Sequence, residues 1–240
     1  MNLHRCQSAS GAAEACAAFI LDRLNAAIAS QSSATLAISG GSSPRVMFEI
    51  FGRTPFAWDK VHLFWVDERM VPPTDAKSNY KLAFDTWLGP GKFPPSNIHR
   101  VVTELHPNAA AVRYQEEIQQ HFHLSPGAMP RFDVIHRGMG PDGHTASLFP
   151  GEPLLADRAR LAAALWAPKM NQWRVTLLPG VLEAARHTAM LVTGEDKSAM
   201  LSQVLAGAYS PSVYPAQIVA LDAATHWFLD EPAAADLPLA

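Results

Sequence analysis

Short apolar runs alternate with helix-patterned stretches along this chain, and most of the runs stop at a polar or glycine-bearing loop. Residues 35–39 lead into Gly40-Gly41-Ser42-Ser43-Pro44, and residues 61–66 into Asp67-Glu68-Arg69. Residues 132–137 lead into Gly138-Met139-Gly140-Pro141-Asp142-Gly143-His144, and residues 188–192 into Thr193-Gly194-Glu195-Asp196-Lys197. Helical spacing covers residues 10–30, 45–51, 78–88, 108–122, 180–185 and 196–205, with Val112, Tyr114 and Ile118 expected on the inward face of the fourth. Further strands are expected at residues 98–102, 161–167, 173–177, 218–220 and 227–229. This alternation predicts an α/β fold: a three-layer, doubly wound, mostly parallel sheet with helices on both faces. Ser43 is expected to cap the second helix with Pro44 at its first position, residues 145–149 can open a helix, and the Ala/Pro-rich tail reads as frayed.

In an open parallel sheet the loops after the strands gather at one edge, where ligands bind. Four loops with useful chemistry are expected to meet there. The first, Ser39-Gly40-Gly41-Ser42-Ser43-Pro44, can turn backbone N–H groups and hydroxyls toward a phosphate at a helix start. It matches neither a Walker A loop nor G-x-G-x-x-G, so nucleotide binding is not indicated, and its spacing fits a plain tight turn equally well. The second carries Asp67, Glu68 and Arg69, which fit either a site or an exposed turn with a local ion pair. The third holds Asp142 and His144 two residues apart, suited to a general base oriented by a carboxylate, or to a hydrogen-bonded loop histidine. No serine sits in a nucleophile elbow, and one His with one Asp makes a poor metal set. The fourth loop offers Lys197, and Arg174 begins another strand; facing the glycine loop, the two would clamp a phosphate.

Composition narrows the classes. Hydrophobic residues make up 48% and charged residues 17% of 240, with a net charge of −3 and no basic run, which disfavours nucleic-acid binding. No repeat or linker divides the chain, so residues 1–240 are expected to form a single domain. Cys6 and Cys16, expected on or beside one helix, read as reduced thiols. No apolar run is long enough to span a membrane and no leader pattern opens the chain, so a cytoplasmic location is expected.

Taken together, Ser39-Gly40-Gly41-Ser42-Ser43-Pro44, Trp65-Val66-Asp67-Glu68-Arg69-Met70-Val71-Pro72 with Ser78-Asn79-Tyr80, and Gly138-Met139-Gly140-Pro141-Asp142-Gly143-His144-Thr145-Ala146-Ser147-Leu148-Phe149-Pro150-Gly151 resemble the bacterial-type 6-phosphogluconolactonase family. Arg174-Val175-Thr176-Leu177 and Gly194-Glu195-Asp196-Lys197 extend the likeness. The resemblance implies the glucosamine-6-phosphate deaminase-type fold. It implies hydrolysis of 6-phospho-D-glucono-1,5-lactone in the oxidative pentose phosphate pathway, without metal or organic cofactor. By position, His144 would be the general base with Asp142 beside it, and Arg69, Arg174 and Lys197 would contact substrate or phosphate. Gly40, Gly41 and Ser42 would form the phosphate loop, and Asp67 matches a position that transfers protons in the deaminases. The implied partner is a small sugar phosphate, with the protein a monomer or weak homodimer that binds neither nucleic acid nor membrane. The alternatives are a deaminase/isomerase-like enzyme and a non-catalytic sugar-phosphate sensor. Two departures stand out: His136-Arg137 replaces the usual aliphatic residues and is expected on the rim of the site, and the segment before Arg174 lacks a second proline.

Overall fold

The computed structural model describes residues 1–238. The chain runs β1 (Asn2–Cys6), α1 (Ala9–Gln31), β2 (Ala34–Ile38), α2 (Pro44–Arg53), β3 (Val61–Trp65), β4 (Asp67–Arg69), α3 (Asn79–Ala83), β5 (Ile98–His99), α4 (Pro107–His121) and β6 (Val134–Arg137). It continues with β7 (Ala162–Ala167), β8 (Gln172–Leu177), α5 (Pro179–Ala184), β9 (Thr188–Val192), α6 (Ser198–Ala206) and β10 (Thr225–Asp230). Seven strands form a parallel sheet in the order β1-β10-β9-β6-β2-β3-β5.

Alternate residues of the central strands face opposite layers. Leu36, Ile38, Leu63, Trp65 and Val134 pack under α1 and α2, whereas Ala37, Phe64 and Ile135 pack toward α4 and α5. Strands buried on both faces read as near-continuous apolar runs, which is why β2, β3, β6 and β9 stand out in the sequence.

The topology decides where a site can form. From β2 the chain winds outward through β3 and β5, and from β6 it winds the other way through β9 and β10. The strand order therefore reverses between β2 and β6, and a crevice opens at their carboxyl ends. The four loops singled out above follow β9, β6, β2 and β3, which are consecutive neighbours in the sheet.

Several expectations fail for identifiable reasons. The mostly parallel main sheet is as expected, but beside it β4, β8 and β7 form a separate antiparallel sheet, in register Arg69↔Arg174 and Leu165↔Arg174. The chain passes into it at Val66, whose N–H donates to Ile38 of the main sheet while its carbonyl accepts from Leu177. Residues 145–149 open no helix, because Ala146 sits at φ 55° and Thr145 bridges back to Leu148 in a tight turn. Residues 218–220 form no strand; Val219 has φ 57°, and the Ile218 carbonyl is taken by the Arg137 guanidinium. The strand expected over residues 98–102 is only Ile98–His99.

Val112 points outward at 53% exposure, since Ala110, Ala111, Tyr114 and Ile118 define the buried face of α4. Ser43 has helical dihedrals and makes no cap bond; its Oγ pairs instead with Thr193 Oγ1 at 3.0 Å. Cys6 lies on β1 and only Cys16 on α1. The tail is packed as far as Leu237: Ala233, Ala234 and Leu237 are buried against β9, β10 and α6, and the Asp230 carboxylate accepts the Ala233 N–H.

Candidate active site

A cavity of about 370 Å³ fills the crevice between the carboxyl ends of β2 and β6. Its lining includes every one of the expected site residues except Asp142: Gly40, Gly41 and Ser42, then Asp67, Arg69, His144, Arg174 and Lys197. Among the described residues no helix is long and apolar enough to cross a membrane.

The floor is the loop after β2. Gly40 is a glycine because Asn79 packs onto it: an added Cβ would lie 1.9 Å from the Asn79 Oδ1. Asn79 in turn donates from Nδ2 to the Asp67 carbonyl at 2.8 Å, tying this floor to β4. α2 then starts at Pro44, which lines the cavity, so the positive end of the helix dipole lies at it.

The loop after β6 folds back on itself. Gly140 N–H donates to the His144 carbonyl at 2.9 Å, and Thr145 Oγ1 donates to the Gly138 carbonyl at 2.9 Å. The His144 ring lies over Gly140, where a Cβ would fall 2.1 Å from ring atoms, so only glycine admits this pose. His144 Nδ1 lies 2.5 Å from Asp142 Oδ1, and the His144 N–H also donates to that oxygen at 3.3 Å. With Nδ1–H given to the carboxylate, Nε2 is left as a free lone pair. Phe149 flanks the ring at 4.8 Å between centroids. Asp142 itself stands behind His144, outside the cavity lining, with Lys169 Nζ 3.5 Å from its other oxygen. Burial pushes the Asp142 carboxyl up, but the His144 hydrogen bond and nearby positive charge outweigh it and hold the group below its ordinary value.

The cations come from three elements. Arg174 lies in β8 with its side chain 9% exposed, Nη1 3.5 Å from Ser147 Oγ and 3.6 Å from Asp67 Oδ2. Burial pulls its guanidinium below the ordinary value, with Asp67 opposing. Arg69 sits beside it in the antiparallel register and donates from Nη1 to the Lys77 carbonyl at 2.7 Å. Lys197 follows the loop after β9 and pairs with Asp196. That loop is fixed by the Asp230 carboxylate, which accepts the Gly194 N–H at 3.0 Å.

Asp67 and Glu68 do not form an exposed turn; both are buried. Asp67 Oδ2 accepts Ser147 Oγ–H at 2.6 Å. Glu68 accepts the backbone N–H groups of Arg69, Asn79 and Tyr80, each at 2.7 Å, and the Ser78 hydroxyl at 3.1 Å. Burial nonetheless holds its carboxyl above the ordinary range. Sequence reasoning missed this buttress, although an acidic residue at a strand end followed by Ser78-Asn79 was its visible signal.

His136 and Arg137 are not on the rim. They are 1% and 0% exposed. His136 lies beneath the cavity, and burial pushes its imidazole down to about 3, so it stays neutral. Arg137 points to the opposite layer and donates from Nη2 to the Ile218 carbonyl at 2.8 Å. Its Nε and Nη1 have no partner among the described residues. Burial lowers it to about 10, which leaves it cationic at neutral pH.

A family model described as glucosamine-6-phosphate isomerases/6-phosphogluconolactonase matches residues 7–227. The 6-phosphogluconolactonase of Nostoc sp. is 37% identical over 219 residues, covering 91% of this chain and 90% of its own. A crystal structure described as devB protein superposes with a TM-score of 0.86 at 34% identity, covering 99% of both chains. A monomeric glucosamine-6-phosphate deaminase shares the fold with a TM-score of 0.81 at 15% identity, over 98% of this chain and 100% of its own.

Proposed function

The chain belongs to the glucosamine-6-phosphate isomerase/6-phosphogluconolactonase family, and from that premise we propose that it hydrolyses 6-phospho-D-glucono-1,5-lactone to 6-phospho-D-gluconate in the oxidative pentose phosphate pathway. The observation that carries the choice of mechanism is the Asp142–His144 pair at 2.5 Å, which leaves one imidazole lone pair at the crevice.

The phosphate sits against Gly40, Gly41 and Ser42 at the start of α2, with Lys197 and Arg174 supplying positive charge. Anchoring that end orients the lactone carbonyl toward the loop after β6. His144 Nε2 takes a proton from a water as its oxygen bonds to C1. Charge developing on the carbonyl oxygen is stabilised by loop N–H groups or Arg69. The intermediate collapses with cleavage of the bond between C1 and the ring oxygen, and His144 returns the proton to that oxygen. Water is added overall, and no metal is used. Asp142 keeps the Nδ1–H tautomer, and Asp67 holds Ser147 and Arg174 in place. We read residues 1–240 as one catalytic domain, acting in the cytoplasm as a monomer or weak homodimer. The crevice supports the single-domain reading, since it draws lining residues from both sheets.

The fold does not separate this reading from amino-sugar deamination, because a deaminase shares it. The separating experiment follows freshly generated lactone, with spontaneous hydrolysis subtracted, beside ammonia release from glucosamine 6-phosphate. Enzyme-dependent loss of lactone without ammonia is expected; ammonia release with only background lactone loss would overturn the proposal.

A further inference from the structure

Three histidines far apart in sequence meet at the end of β3 remote from the crevice. His62 is the second residue of β3, whereas the site loop follows that strand's last residue. His99 closes β5 and pairs across the sheet with Phe64, and His121 closes α4. One ring nitrogen from each lies within 4.8 Å of the other two, and among the described residues no other group of three such ligand side chains comes together. Ring centroids are 4.4 Å apart for His62–His121, 4.9 Å for His99–His121 and 5.3 Å for His62–His99. Phe64 forms the apolar base, stacked on His99 at 4.3 Å and meeting His121 edge-on at 5.2 Å.

The orientation of these rings is as informative as their proximity. His99 Nδ1 lies 2.7 Å from Glu117 Oε1, and Arg113 holds the other Glu117 oxygen at 3.2 Å. A carboxylate on Nδ1 fixes that proton and turns the Nε2 lone pair inward, the arrangement that supports histidine ligands in metal sites. That lone pair faces His62 Nδ1 at 3.0 Å. Without metal, His62 Nδ1–H fills it; with metal, the His62 proton moves to Nε2 and both lone pairs point at the ion. The other edge of the sheet shows what is missing from a plain histidine stack. There His4 and His226 pair at 2.9 Å, and among the described residues no third ligand side chain joins them.

We propose that His62, His99 and His121 form a site for a divalent transition metal of the zinc type, with a water in the fourth position and Glu117 orienting His99 from outside. Three imidazoles without thiolate suit Zn²⁺, and a tetrahedral ion with Zn–N near 2.0–2.1 Å needs ligand nitrogens about 3.3 Å apart. The closest pair is already at 3.0 Å, and rotation of His121 at its helix end brings in the third. Such an ion ties the two-residue edge strand β5 and the end of α4 to β3, and it binds only the folded chain. It plays no part in lactone hydrolysis, so the site stands or falls apart from the proposed activity.

The test uses full-length protein stripped with chelator, titrated with Zn²⁺ alone in a calorimeter and melted with and without the ion. The expected result is one Zn²⁺ per chain, a raised melting temperature and unchanged lactone turnover. Glu117→Gln should weaken binding about 10-fold or more, and His121→Asn further still. Replacing zinc by Co²⁺ should give the visible bands of a four-coordinate ion in wild type and lose them in His121→Asn. Retained turnover identifies folded variants, and Glu117→Gln serves if His121→Asn does not fold. No retained Zn²⁺ in wild type, or equal affinity in Glu117→Gln and wild type, would overturn the proposal.

Discussion

Asp67 and Asp142 each follow the end of a parallel strand beside the crevice, yet their surroundings differ in kind. Asp67 borders the cavity but is almost wholly buried, its Oδ2 accepting the Ser147 hydroxyl at 2.6 Å and lying 3.6 Å from Arg174. Asp142 stays partly in water, its side chain 28% exposed and its main partner a histidine that itself reaches the cavity. A buried carboxylate with a charged partner holds a wall in place. A partly exposed carboxylate bonded to an imidazole sets a tautomer and leaves the ring able to exchange protons. The two acidic groups thus divide framework from chemistry, and substitution at each should fail differently.

The largest effect should come from the imidazole that Asp142 serves. His144→Ala is expected to lower kcat by roughly 10²–10⁴-fold with little change in KM, as removal of a general base does; steady-state kinetics on fresh lactone measures it. Asp67→Asn should show the opposite pattern. Leaving Arg174 buried without its anion should cost on the order of 3 kcal/mol, read as a lower melting temperature, while most of the turnover remains. A variant as stable as wild type but inactive would move Asp67 from framework to chemistry. Asp142→Asn keeps the fold but frees the wrong tautomer, and kcat should fall about 10-fold or more, less than the ~10⁴ of a buried triad aspartate because water can also serve the ring. Lys197→Ala should raise KM about 10-fold through lost phosphate attraction and leave kcat nearly intact; a kcat effect without a KM effect would take Lys197 off the phosphate.

The smallest effect is on acid stability. Asp142 titrates below its ordinary value in the folded chain, so its contribution is present above about pH 4 and disappears as pH falls through the lower folded value. Melting curves between neutral and strongly acid pH should therefore show a shallower acid limb in Asp142→Asn than in wild type.

The sheet and its loops were legible because parallel strands covered on both faces are apolar over most of their length, and a polar loop after each one is a site signal. What was hidden follows from the same physics. β7 is an apolar run like the others, whereas β8 alternates polar and apolar residues from Gln172 to Leu177, a local sign of antiparallel pairing that the run of parallel strands around it obscures. β1 alternates half-buried and exposed residues as an edge strand, and Asn2, His4 and Arg5 disguise it. Residues 218–220 are apolar because the core packs on them, although the backbone there turns. His136 and Arg137 read as rim residues because burying them leaves polar atoms unpaired, a cost that only the Ile218 carbonyl, brought to Arg137 by the fold, partly offsets. Glu68 was masked by its neighbours, since three ionisable residues in a row suggest water and not a carboxylate roofed by backbone N–H groups. The histidines of β3, β5 and α4 carry no spacing motif, so only the fold brings them together.

The division of labour between the two aspartates rests on His144 acting as a base, and chemical rescue tests that most directly. Imidazole is added to His144→Ala on fresh lactone, with the rate in enzyme-free imidazole subtracted. The expected result is a depressed enzyme-dependent rate that rises with the concentration of unprotonated imidazole, while wild type does not respond. Near-wild-type turnover by His144→Ala without imidazole, or a depressed rate that imidazole never restores, would contradict it.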